Sequence, residues 1–207
     1  MNAKARHLSL IRSLHAADFL TLMNAASGTA AVFCAMSYVA SPSRFMFLLA
    51  AVMSVAALVF DVLDGRVARW RHEQSLLGRE LDSLADIISF GVAPAALSFA
   101  AGMRSGWDWV ALMYFVCCGV SRLARYNVTA EALSEGREKV AYFEGTPIPT
   151  SIVLSGVLAF AAWRFRLGED LYWGLWQLGP WDLHPLALLF VLSGTLMVSK
   201  TLRIPKI

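Results

Sequence analysis

Charge is scarce in this sequence: Asp, Glu, Lys and Arg make up 16% of it, against about 25% in an ordinary soluble domain. Cysteine is nearly absent. Cys34, Cys117 and Cys118 all fall inside apolar runs and form no C-x-x-C pair, which excludes a disulfide framework and a thiol redox motif. Histidine is equally sparse. His7, His15, His72 and His184 are scattered, with no cysteine at zinc-finger spacing. There is no long-period repeat, no low-complexity tract and no block of like charges. The formal charge of +3 is too small to argue for a nucleic-acid partner. What remains is apolar: 57% hydrophobic residues and a mean hydropathy of +0.56. These values exclude a typical soluble enzyme and point to a polytopic membrane protein. A length of 207 residues suits a single bundle over residues 1–207.

The first 18 residues place Lys4, Arg6 and Arg12 beside Leu8, Leu10, Ile11 and Leu14. That pattern predicts a short amphipathic helix on the membrane surface. Phe19 to Ala40 is an uncharged run, longer than a signal-peptide core and without a clear cleavage site, so a span is expected there. Further spans are expected at about 45–70, 78–103, 108–125, 147–165 and 185–200. The expected fold is thus an all-α, six-helix membrane bundle. Pro94 lies inside the third span, where it is placed to kink the helix. Residues 126–146 read as the main polar loop. Residues 164–184 read as a loop at the membrane interface, carrying Trp173, Trp176 and Trp181. With six spans, fourteen of the eighteen Lys and Arg fall on the side of the termini; Arg44, Arg104, Arg164 and Arg166 fall on the other. The positive-inside rule then places both termini in the cytoplasm, on the inner membrane.

Between the second and third spans lies DVLDGRVARWRHEQSLLGRELDSLAD, residues 61–86. Its spacing is D-x2-D-G-x2-A-R-x8-G-x3-D-x3-D. Asp61 and Asp64 share one helix face, and Asp82 and Asp86 share another. The short connection makes the two helices antiparallel neighbours, so both acidic faces meet at one end of the bundle. Four like charges together repel, and a divalent cation relieves the repulsion. An oxygen-only ligand set favours Mg2+, Mn2+ or Ca2+ over zinc. Gly65 and Gly78 leave room for a bulky ligand close to the backbone. Arg66 and Arg69 supply cations suited to phosphate. Together these residues describe a phosphoryl-transfer site. Interfacial salt bridges from the acids to Arg66, Arg69, Arg71 and Arg79 are the plainer explanation, and fit one aspartate better than eight residues at fixed spacing.

The same stretch resembles, in full, the signature of the CDP-alcohol phosphotransferases, membrane enzymes of phospholipid synthesis. The resemblance implies a six-helix membrane fold, a binuclear Mg2+ or Mn2+ site and a homodimer. It implies that Asp61, Asp64 and Asp82 bind metal, with Asp86 beside the metals as general base. Asp64, Gly65, Ala68, Arg69 and Gly78 would line the CDP and its diphosphate. Two further stretches, DSLADIISFGVAP at 82–94 and SRLARYN to FEGTPIP over 121–149, resemble the phosphatidylserine synthase branch of that family. That likeness implies L-serine as acceptor and CDP-diacylglycerol as donor.

On this reading Arg122 and Arg125 hold the serine carboxylate or a donor phosphate, with positive-inside anchoring as the competing role. Glu144 is a candidate for the ammonium group. Ser89 and Asn127 are weaker candidates for the acceptor pocket, better explained by packing. Asn24 can reach the cytidine or bond between helices. Phe143 to Pro149 has the composition of a shaped lid. The same chemistry with glycerol 3-phosphate or inositol phosphate, or with an ether-lipid donor, stays open. So do a divalent-cation transporter and a non-catalytic lipid-binding scaffold.

Overall fold

The computed structural model describes residues 16–71, 76–134, 142–199, 201 and 203–205. The expected surface helix of residues 1–18 therefore lies almost wholly outside the described residues. The described chain is mostly helical. α1 spans Ala16–Ala40 and α2 Arg44–Arg71. α3, Leu76–Asp86, continues through a π-helical segment, Ile87–Val92, into α4, Ala93–Ala101. α5 spans Gly106–Ser134, α6 Ile152–Trp163 and α7 Ala187–Val198. Among the described residues, three helical stretches are long and apolar enough to cross a membrane: Ala16–Ala40, Arg44–Arg71 and Leu77–Ala101. Ile148–Trp163 and Ala187–Val198 are shorter apolar helices.

Among the described residues, two short strand pairs depart from a purely helical fold. β1, Tyr142–Glu144, pairs antiparallel with β4, Arg203–Pro205. β2, Trp176–Leu178, pairs with β3, Trp181–Leu183, as a hairpin. The expected polar loop also begins later than its composition indicates. α5 continues through Asn127 to Ser134 because Thr129 bonds back to the Arg125 carbonyl and Asn127 bonds across to α3.

Polar residues on α1 explain how the bundle closes around its site. Thr21, Asn24, Ser27 and Gly28 are buried and recur at helical spacing, so α1 turns a polar, small-residue stripe inward. α1 packs chiefly on α2, and also on α3 and α4. Outward faces are apolar: Phe33 is 62% exposed, Phe45 67% and Val153 65%. Contiguous apolar surface of this kind is rare on a soluble monomer and suits contact with lipid. The interior is filled by side chains such as Phe47, Phe90, Leu97, Phe115, Ile148 and Phe190. Phe115 and Phe190 meet edge to face at 5.3 Å, joining α5 to α7.

Pro94 acts before it is reached. It has no N–H to give to the Phe90 carbonyl one turn back. The preceding turn widens instead, and the Ala93 N–H bonds to the Ile88 carbonyl, five residues back. The Phe90 carbonyl accepts from Ser151 Oγ at 2.7 Å, which ties the base of α6 to the widened turn. At the opposite end of the bundle from the acidic stretch, Asp108 is fully buried. It accepts from the His184 backbone N–H at 2.8 Å and the Ser105 N–H at 3.1 Å, and its other contact is His184 Nδ1 at 2.7 Å. Trp181 packs edge-on against Trp107 at 5.4 Å, so the hairpin docks on the start of α5.

Candidate active site

The last three turns of α2 and the length of α3 bring the acidic residues together. One carboxylate oxygen from each of Asp61, Asp64 and Asp82 lies within 4.8 Å of the others. The Asp86 carboxyl group is within hydrogen-bonding distance of that of Asp61. Asp64 and Asp86 are buried, 5% and 6% exposed, and Asp61 and Asp82 are half-buried. Among the described residues no Lys or Arg forms an ion pair with any of the four. Buried carboxylates without cationic partners are costly unless a metal ion or protons neutralise them. The donor set, carboxylate oxygens with no nitrogen or sulfur, fits a hard divalent cation. The interfacial salt-bridge reading loses its geometry here.

α1 supplies the far wall. Thr21 Oγ1 donates to Asp64 Oδ2 at 2.8 Å. Asn24 Nδ2 donates to Asp86 Oδ1 at 3.4 Å, while Asn24 Oδ1 is buried without a hydrogen-bond partner. Gly28 makes the approach possible: a Cβ there would lie 2.7 Å from Ser89 Cα. Through that gap Ser89 Oγ donates to the Asn24 carbonyl at 3.0 Å. Thr21 and Gly28 were not legible as site residues. A threonine and a glycine at the start of an apolar run look like ordinary helix-packing residues until the partner helix is in place.

The remaining expected residues divide. Arg69 extends over Gly65: its guanidinium is 3.5 Å from where a Cβ on Gly65 would sit, so glycine and arginine shape one surface. Ala68 and Gly78 are half-buried along the same two helices. Arg122 lies within electrostatic reach of Asp86, and its Nε is buried with no hydrogen-bond partner. Arg125 donates to the Val198 carbonyl at 3.4 Å, tying α5 to the end of α7. Ser89 is fully buried, with its hydroxyl committed to α1. Asn127 bonds Ser83 at 3.0 Å and Glu80 at 3.2 Å, bracing α5 against α3. Glu144 lies in β1 opposite Arg203; its side chain is outside the described residues. The segment after it is tied to α7 by backbone: the Thr146 N–H bonds the Leu196 carbonyl at 3.2 Å. Gly145 has φ +74 and sits against the Met197 carbonyl, where a side chain would not fit.

Two acidic helix faces, the Arg69 guanidinium over Gly65 and an oxygen-only donor set suited to a hard divalent cation thus come together on α2 and α3. The family model for CDP-alcohol phosphatidyltransferases matches residues 14–193. The chain belongs to the CDP-alcohol phosphatidyltransferase family. Its chemical class is that of a transferase of phospholipid biosynthesis, as the 61–86 signature implied, and a membrane transporter is set aside. Curated relatives include a Saccharomyces cerevisiae protein named CDP-diacylglycerol–serine O-phosphatidyltransferase, 40% identical over 97% of this chain and 74% of the relative. A Mycobacterium bovis protein of the same name is 34% identical over 78% of this chain and 54% of the relative. An archaetidylserine synthase from Methanothermobacter thermautotrophicus is 35% identical over 66% of this chain and 54% of the relative. The chain thus spans about three quarters of the yeast protein and about half of the other two.

Proposed function

We propose that the protein transfers a phosphatidyl group from CDP-diacylglycerol to the hydroxyl of L-serine, forming phosphatidylserine and releasing CMP. The observation that carries this reading is the meeting of Asp61, Asp64, Asp82 and Asp86 in one buried to half-buried cluster with no Lys or Arg ion pair among the described residues. Relatives named for serine transfer support the choice of acceptor. Asp61, Asp64 and Asp82, with Asp86 beside them, would hold Mg2+ or Mn2+ as a binuclear site. Bound divalent cations would neutralise the diphosphate and make phosphorus more electrophilic.

The chain's own residues do the rest. Gly65, Ala68 and Gly78 leave space for CDP against the two helices, with Arg69 over its diphosphate. Asn24 and Asp64 complete that wall from α1 and α2. Asp86 accepts the serine hydroxyl proton, and the freed oxygen attacks the lipid-side phosphorus. The bond from that phosphorus to the CMP oxygen breaks, and CMP carries the charge away. Arg122 is assigned to the serine carboxylate, with Arg125 behind it and Glu144 to the ammonium group. Ser89 and Asn127 act on the acceptor pocket only through the packing they maintain. Segment 143–149 is the lid over that pocket.

The bundle crosses the inner membrane six times, with the cluster and both termini on the cytoplasmic side, where CMP can leave. A homodimer is the expected assembly. An ether-lipid donor is the second reading, favoured by the archaetidylserine synthase relative. CMP release from purified protein in mixed micelles, with CDP-diacylglycerol and each alcohol in turn, tests the acceptor. Serine should support turnover in the presence of Mg2+ or Mn2+ and lose it with a chelator. Turnover with glycerol 3-phosphate or inositol phosphate and none with serine would refute the assignment.

A further inference from the structure

We propose that Thr21 is a positioning residue for the metal-binding carboxylate Asp64, a role that rests on the metal reading of the acidic cluster. Thr21 stands on α1 and Asp64 on α2, 43 residues apart, and the bond between them is 2.8 Å. Both are buried, at 4% and 5% exposure, so water does not compete for the contact. The same hydroxyl oxygen is 3.2 Å from the Ala17 carbonyl one turn back. A hydroxyl has one proton to donate, and an ionised carboxylate is the stronger acceptor. The proton therefore goes to Asp64, the nearer acceptor, rather than to the Ala17 carbonyl.

The consequence is geometric. A carboxylate held at one oxygen cannot rotate freely about its Cβ–Cγ bond. Asp64 then presents its group toward Asp61 and Asp82 before any cation arrives. Partners of this kind behind metal ligands are worth about 10- to 100-fold in metal affinity. Valine at position 21 keeps the shape and removes the proton, whereas serine keeps the proton and removes a methyl group.

Mn2+ titration of the purified, substrate-free protein, followed by electron paramagnetic resonance, reads this directly. Thr21→Val should raise the Mn2+ Kd by about 10- to 100-fold, and Thr21→Ser should stay within about threefold of the parent protein. In turnover, Thr21→Val should shift the Mn2+ activation curve by the same factor and recover most of kcat at saturating Mn2+. A general packing defect would lower kcat at every Mn2+ concentration. If Thr21→Val does not fold, Thr21→Ala against Thr21→Ser gives the same comparison. Valine and alanine variants that bind Mn2+ as tightly as the parent would overturn the role of Thr21 alone. So would a serine variant as impaired as valine. A parent protein that binds no Mn2+ would overturn the metal reading itself, and the role of Thr21 with it.

Discussion

Gly28→Ala is the smallest change that should disable the site from outside it. The added Cβ would lie 2.7 Å from Ser89 Cα, about 0.7 Å short of the 3.4 Å at which ordinary contact begins. Ser89 Cα is backbone, so no side-chain rotation relieves the clash. α1 and the π-helical segment must part by roughly that distance. Overpacking of this kind costs about 1–3 kcal/mol. Losing the Ser89 bond to the Asn24 carbonyl adds about 1 kcal/mol. The same displacement moves Asn24 and Thr21 away from Asp86 and Asp64. A misplacement of about 1 Å at reacting groups lowers turnover about 100-fold, so kcat/KM should fall about 10- to 100-fold. Gly156→Ala is the control. It lies in α6 with nothing within 4 Å of the added Cβ, and should keep full activity with equal or slightly higher stability. The assays are CMP release in mixed micelles and thermal unfolding in detergent. Equal activity and equal melting for the two variants would refute the close approach of α1 to the π-helical segment.

Asp86→Asn keeps the shape of the side chain and removes its basicity. Turnover should fall by about 100- to 10,000-fold, while binding of CDP-diacylglycerol by equilibrium dialysis stays largely intact; near-normal turnover would remove Asp86 from the role of base. Asp108→Asn should behave in the opposite way. It weakens the contacts to His184 and Ser105 at the far end of the bundle, costing about 1–3 kcal/mol. The expected readout is a lower melting temperature with kcat/KM near the parent value, and a large loss of kcat/KM in folded protein would show that the two ends are coupled.

The legible part of this protein is its membrane class and its acidic motif. Apolar runs report their own length, and Asp61, Asp64, Asp82 and Asp86 sit at helical spacings that any α-helix converts into faces. Family membership follows from that spacing and is borne out by the family match. Less legible were the limits of elements. α5 outran its apolar run because Asn127 finds partners on α3, which no local pattern announces. The β1–β4 pairing joins residues more than fifty positions apart through backbone groups, and backbone pairing leaves little trace in composition.

Sequence alone singled out the residues proposed to carry the chemistry, because carboxylates, glycines and an arginine at fixed spacing are local facts about two helices. Tertiary structure decided how those residues are held. Thr21 meets Asp64, Asn24 meets Asp86 and Ser151 meets Phe90 only after helices distant in sequence pack together. The physical reason is that a hydrogen bond between helices depends on the distance of approach. Here Gly28 sets that distance for α1, and the missing N–H of Pro94 leaves the Phe90 carbonyl free for Ser151 at the start of α6.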